Sequence, residues 1–472
     1  MVCFRSNTLL NRLRADEIGR SFCTMKEFIQ STLNRQIADL QRLVRIPSVS
    51  RGEPPEEGKP FGKTVFAALE TALDIARGLG FEKVWHTDGY AGVIEFGSGE
   101  ETVGILAHLD VVPEGEGWTY PPYGAEIHNG RVYGRGTLDD KGAAVSALYA
   151  LAAVKELGLP MKRKVRIILG TDEEIGSLGV EHYLKTEGAP DMSFTPDAEY
   201  QVVNSEMGIL QSTYHAEGRF GIRCSVGTAA NVIPGVVTAV LPCEAKNVPV
   251  PDGFEASFSG NTITVTGRGG HASMPAFAKN ALLAMMDILS RQALPASDLK
   301  IVTDLHRVWR MDMHGETLGL DVTDDSGRTT YSPDVFRMDE SGVTFICDCR
   351  HPFSLTAESI LDSLDRSYGE ISFSRVGQVI KPGHFMPADS ELVSTLMRVY
   401  NGINHSDTKP LTMGGGTYAR ELPNAVAFGI VREGHDNLCH VPDEYIAIDD
   451  LLFNTEVMAE AIKQLAVLEK EA

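Results

Sequence analysis

Several things are scarce in this chain of 472 residues, and each scarcity removes a class of function. No apolar run is long enough to cross a bilayer. The longest, around residues 143–154, has the length of a buried helix and is interrupted by Ser146, whereas a spanning helix needs about 20 apolar residues. The first two dozen residues hold Arg5, Arg12, Arg14 and Arg20 but no sustained hydrophobic region, so no secretory signal is expected. Cysteine is sparse and odd in number: Cys3, Cys23, Cys224, Cys243, Cys347, Cys349 and Cys439 show no paired spacing. That excludes a disulfide framework and suits reduced thiols in a cytoplasmic protein. Positive charge is short as well. Lys and Arg number 43 against 64 Asp and Glu, a formal charge of −21, which argues against nucleic acid and anionic membrane surfaces as partners. The glycine-rich stretch 413–420 lacks a following Gly-Lys-Ser/Thr, so it is not a phosphate loop.

What the chain does carry is a series of acids and histidines at the ends of apolar runs. Glu173-Glu174 follows residues 165–169, which read as a buried strand. Adjacent side chains diverge in an extended chain, so one of the pair can hold a metal while the other holds a proton. His108-Leu109-Asp110 closes the run 103–106. Residues two apart share a strand face, and a metal-ligating imidazole usually gives its second N–H to a carboxylate. Asp139 and Asp140 stand at the mouth of a predicted buried helix, 143–157, after Gly134-Arg135-Gly136. Either acid could be an N-cap. One would suffice for that, and the glycines suggest backbone held close to something. Asp197 follows another short apolar segment, and His440 lies in the polar turn 437–445.

Singly, each motif has an ordinary reading as solvated acid, cap or exposed pair. Together, His108, Asp139, Glu174, Asp197 and His440 make two imidazoles and three carboxylates. One ion with an open position needs about three protein ligands. Five suit two divalent ions sharing a carboxylate, as in two-metal hydrolases. Donors of nitrogen and oxygen favour Zn, with Mn or Co as alternatives. Most of the five follow predicted strand ends, where open α/β sheets gather their ligands.

The motifs 108–110, 134–141, 172–177 and 195–198 occur in the order found in the co-catalytic zinc peptidases, the family that includes aminoacylase, carboxypeptidase G and acetylornithine deacetylase. From about Met25 to the C-terminus the chain resembles this family, and within it the peptidase V-type dipeptidases. The resemblance implies that Asp139 bridges two ions, with His108 and Asp197 on one and Glu174 and His440 on the other. It further implies that Asp110 orients His108 and that Glu173 is the general base. Asn231 and His271 match lid residues that contact the substrate, and Arg350 matches an arginine that holds the terminal carboxylate. Otherwise Arg350 is a surface cation at a strand end. Gly416 belongs to a glycine-rich substrate floor. The implied activity is hydrolysis of dipeptides with a free N-terminus. The alternatives are an N-acyl amino acid deacylase with the same machinery, or a binding protein that kept the fold without catalysis.

Strand–helix alternation through Asp197 predicts a three-layer α/β catalytic domain with a mostly parallel sheet, built from residues 25–205 and 379–472. Residues 206–378 form an inserted α+β lid with an antiparallel sheet: strands 262–266, 343–347 and 371–376, helices 280–291 and 356–368. Residues 297–333 fit neither period. The long insertion resembles a lid that replaces what a second subunit supplies elsewhere, which favours a monomer acting on small peptides. Residues 1–24 are expected to be a dispensable extension.

Overall fold

The structure is a computed structural model and describes residues 24–50 and 52–468. The expected extension therefore lies outside the described residues, apart from Thr24. That residue belongs to the first helix: its side chain accepts from Glu27 N–H while Glu27 reaches back, a capping box that fixes the start at Met25.

The chain forms two compact units. Among the described residues, the first comprises those up to Asn204, Met386–Leu411 and those from Thr417 onward, the second Ser205–Phe385 and Thr412–Gly416. In the first unit the elements run α1 (Met25–Val44), α2 (Lys63–Gly78), β1 (Lys83–Thr87), β2 (Ala91–Phe96), β3 (Thr102–His108), α3 (Lys141–Glu156), β4 (Lys164–Gly170), α4 (Leu178–Glu187), β5 (Met192–Thr195), β6 (Val202–Glu206), α5 (Glu391–Asn404), β7 (Ala425–Phe428) and α6 (Ile448–Ala466). The strands lie in the order β1-β2-β4-β3-β5-β7-β6. The parallel part of the sheet is its centre, β4-β3-β5-β7, and antiparallel pairs flank it.

Three layers follow from the residue pattern. Every residue of β3 is buried, as parallel strands covered on both faces require. Ile105 and Ala107 pack with residues of α1, α3 and α6, while Leu106 joins Ile168, Val180 and Tyr183 on the opposite face. α3 is buried nearly all round because α1 and α6 both pack on it, which its small alanines permit. Each buried Leu or Ile contributes about 1.5–3 kcal/mol.

The second unit is built on an eight-stranded antiparallel sheet with Glu255–Ser259 and Ser374–Lys381 at its edges. Helices Ala281–Leu289, Ala296–Trp309 and Ala357–Gly369 pack against it around one core. Strand Thr262–Thr266 coincides with its predicted span. Asn280 and Thr356 prove to be N-caps rather than helical residues. The strand expected over 371–376 is displaced to Ser374–Lys381. Ile371 and Phe373 are buried in the turn after the helix, whereas the strand itself is an exposed edge and lacks alternation. The unplaced stretch holds the helix Ala296–Trp309 and the hairpin Thr323–Asp324/Gly327–Arg328. Its period is blurred by buried Asp298, whose carboxylate accepts the Gly221 and Ile222 N–H groups at 2.8 Å. No described helix is long and apolar enough to cross a membrane.

Candidate metal and catalytic site

The site grows from the sheet centre. β4, β3 and β5 are neighbours and parallel, so their C-terminal ends lie side by side. They deliver Glu173 and Glu174, His108, and Asp197 to one edge. Asp139 arrives at the mouth of α3 and His440 in the turn before strand Tyr445–Ala447, which pairs with Arg131–Tyr133.

The five expected ligands come together. Asp139 Oδ1 is 2.9 Å from His108 Nε2, and its Oδ2 is 3.1 Å from His440 Nε2. His440 Nε2 is also 3.1 Å from Glu174 Oε2, and His108 Nε2 is 3.9 Å from Asp197 Oδ2. Ligand atoms of His108, Asp139 and Glu174, and of His108, Glu173 and Asp197, fall in two groups compact enough for a cation.

Two local arrangements differ from the sequence expectation. Glu173 and Glu174 are not extended but occupy a 3₁₀ turn, Glu173–Ile175. Their backbone N–H groups donate to Asp110 Oδ1 and Oδ2 at 3.1 and 3.2 Å, and Ser50 donates a third bond there. The β3 strand ends at His108, so the shared-face argument does not operate at Asp110. His108 Nδ1 lies 3.0 Å from the Asp110 carbonyl and 3.4 Å from its Oδ1. Asp140 occupies the N-cap position of α3 without capping it; its Oδ2 instead accepts the His108 N–H at 3.0 Å. The close approach expected at the glycines before Asp139 is found there: a Cβ at Gly134 would lie 2.6 Å from Val44 and 3.0 Å from the Pro122 carbonyl, and one at Gly136 2.8 Å from Val111.

The donors fit a cation. Glu174 Oε1 and Asp140 Oδ1 are buried without a hydrogen-bond partner among the described residues, and the carboxylates crowd two imidazoles. Burial, with repulsion from Asp139 and Asp140, raises the Asp197 pKa well above the usual carboxylate range. Burial raises Glu173 to about 8; His108 opposes this, while the Glu174, Asp110 and Asp139 charges add to it. The His440 ring is about half exposed; partial desolvation works to lower it, but the Asp139 and Glu174 carboxylates hold it up at about 10. Asp139 goes the other way: despite burial, His108 and His440 keep it well below the ordinary range. Buried carboxylates that repel one another are stabilised by a positive ion.

The remaining expected residues lie in the second unit. Asn231 Nδ2 is 3.4 Å from His271 Nε2, because residues Val232 and His271 pair across a short ladder. Arg350 is 3% exposed, which removes the surface-cation reading. Its Nε and Nη2 donate to Asp348 at 2.6 and 3.0 Å, and Nη1 donates to the Gly414 carbonyl at 2.8 Å. Gly416 is exposed two residues further along that segment.

Sequence reasoning missed Asp348, Ser50 and, above all, Glu444. Nothing local announced Glu444: its partners are the loop residues Arg135, Gly136, Leu138 and Asp139, more than three hundred positions away. Arg135 and Glu444 form a buried pair at 2.6 Å.

The sequence pattern of "Peptidase family M20/M25/M40" matches residues 104–464. The chain is 35% identical over 457 residues to "Putative dipeptidase YtjP" of Bacillus subtilis (strain 168), covering 91% of this chain and 97% of that one. It is 32% identical over 462 residues to "Beta-Ala-Xaa dipeptidase" of Lactobacillus delbrueckii subsp. lactis, covering 93% and 98%. Human carnosine dipeptidase 1 shares the fold, with a TM-score of 0.59 at 16% identity over 93% of this chain and 98% of that one. The sheet-edge cluster of histidines and acids thus sits in a chain that belongs to peptidase family M20/M25/M40 and is a hydrolase of peptide bonds.

Proposed function

We propose that the protein is a metal-dependent dipeptidase acting on dipeptides with a free N-terminus. The observation that carries this reading is the Asp139 carboxylate, whose two oxygens face His108 and His440 separately. His108 and Asp197 would hold one divalent ion, Glu174 and His440 the other, and Asp139 both. Zinc suits the donors best, with manganese or cobalt as alternatives. When bound, such ions polarise an amide carbonyl and lower the pKa of the attacking water towards ~7.

Glu173 is the general base. It coordinates nothing in this assignment, and its carboxyl sits at the same sheet edge, within the group formed with His108 and Asp197. It takes a proton at its carboxylate from the attacking water and passes it to the leaving amine. Asp110 fixes the Glu173–Glu174 turn through two N–H groups and orients His108. In the second unit, His271 with Asn231 is assigned to the substrate carbonyl, and Arg350 to the terminal carboxylate. Arginine has five N–H donors; with three engaged, one remains on each terminal nitrogen for a planar anion. Gly416 provides part of the exposed glycine floor.

The dipeptidase names of the relatives favour peptides over N-acyl amino acids. The test is chelator-stripped protein reloaded separately with zinc, manganese and cobalt, then offered dipeptides, tripeptides and N-acetylated amino acids with products read by mass. Cleavage of dipeptides above the other classes is expected. Turnover confined to N-acetylated amino acids would make the protein a deacylase.

A further inference from the structure

Glu444 is fully buried, only four residues beyond His440. Its Oε1 accepts the backbone N–H groups of Gly136, Leu138 and Asp139 at 3.0, 2.9 and 3.2 Å. Its Oε2 accepts Arg135 Nη1 at 2.6 Å, and Arg135 is itself 1% exposed. A buried carboxylate is tolerated only when its lone pairs are met, and here every donor comes from one loop, the one that ends in Asp139. The Gly134 N–H adds a bond to the Glu444 carbonyl at 2.9 Å. The segment that supplies His440 therefore also supplies the group that fixes the Asp139 backbone. Strand Tyr445–Ala447 pairs with Arg131–Tyr133 independently of this carboxylate, so the two segments stay joined without it.

We propose that Glu444, gripped by Arg135, is a positioning residue that sets the Asp139 carboxylate against the His440 imidazole and thereby governs how tightly the cage holds a divalent ion. This rests on the metal-dependent reading given above. Glu444 touches neither substrate nor ion; it acts through Asp139. Partners of this kind, one step removed from the ligands, typically change metal affinity about 10–100-fold. A purely structural carboxylate would change stability and leave the affinity of the folded protein alone.

The experiment compares full-length, chelator-stripped wild type, Glu444→Gln and Arg135→Lys. Each is titrated with cobalt and zinc, read by the cobalt visible spectrum and by competition with a chelator, with metal-free melting recorded alongside. The wild type should take up two ions per chain. Folded Glu444→Gln should bind one of them about 10–100-fold more weakly, with an altered cobalt spectrum, and Arg135→Lys should fall between. Wild-type affinity and spectrum in folded Glu444→Gln, even with a lower melting temperature, would overturn the positioning role. Should Glu444→Gln not fold, unchanged affinity in Arg135→Lys overturns it instead. A wild type that binds no ion contradicts the metal-dependent reading itself, a result recognisable before any variant is made.

Discussion

Asp139 divides its two carboxylate oxygens between two imidazoles, Oδ1 2.9 Å from His108 and Oδ2 3.1 Å from His440. One side chain thus ties the end of β3 to a turn more than three hundred residues later. Every functional expectation depends on that tie.

Glu173 is separable from metal binding. Glu173→Gln keeps size and removes the proton acceptor, so kcat should fall by about 10²–10⁴-fold with metal content unchanged. KM should move little. Elemental analysis together with steady-state kinetics checks this, and full turnover at full metal content would remove Glu173 from the base role.

Arg350→Ala should mainly raise KM for dipeptides with a free terminal carboxylate. Losing a charged hydrogen-bond pair costs about 1.5–3 kcal/mol, or roughly 10–100-fold. The substitution also leaves the buried Asp348 carboxylate without its arginine, with only the Gln211 amide still donating to it at 2.9 Å. The double variant Arg350→Ala/Asp348→Ala therefore separates folding from binding. C-terminally amidated dipeptides should be affected much less; an equal loss on them would refute carboxylate recognition.

The metal-free protein should lose stability as pH rises. His440 has a folded pKa raised to about 10, so its stabilising pairing is fully present below about 6.5 and is lost as pH climbs towards that folded value. Glu173, raised to about 8, is neutral in the fold where the unfolded chain is ionised, so its burial costs stability increasingly between about 4.5 and 8. Both act in the same direction. Asp139, held low by the imidazoles, works oppositely but only below about pH 4. Melting temperature of stripped protein should therefore fall from pH 5 to pH 9, and added zinc should raise it more at pH 8 than at pH 6. A flat or rising apo profile would contradict the charge crowding.

His108, Glu174 and Asp197 were legible because each closes an apolar run that becomes a central strand, and Asp139 because it opens a buried helix; His440, in a polar turn, was placed by the family resemblance alone. The local geometry was not legible. Glu173 and Glu174 read as strand-end residues, yet Asp110 accepts both their N–H groups and winds them into a turn. That bond joins residues 63 and 64 positions apart, beyond any local pattern. Glu444 was hidden for the same reason: its donors lie 305–309 positions away. In the second unit, the strand Thr262–Thr266 was legible from alternation, whereas the edge strand Ser374–Lys381 has almost no buried side to announce it.

The most direct measurement is metal content per chain in freshly purified, unchelated wild type and in Asp139→Asn. Two divalent ions per wild-type chain are predicted, falling to at most one in the variant, with turnover reduced by at least the ~10–100-fold seen for residues one step removed from a metal. Wild type carrying no divalent ion, or Asp139→Asn retaining two with unchanged turnover, would contradict the account.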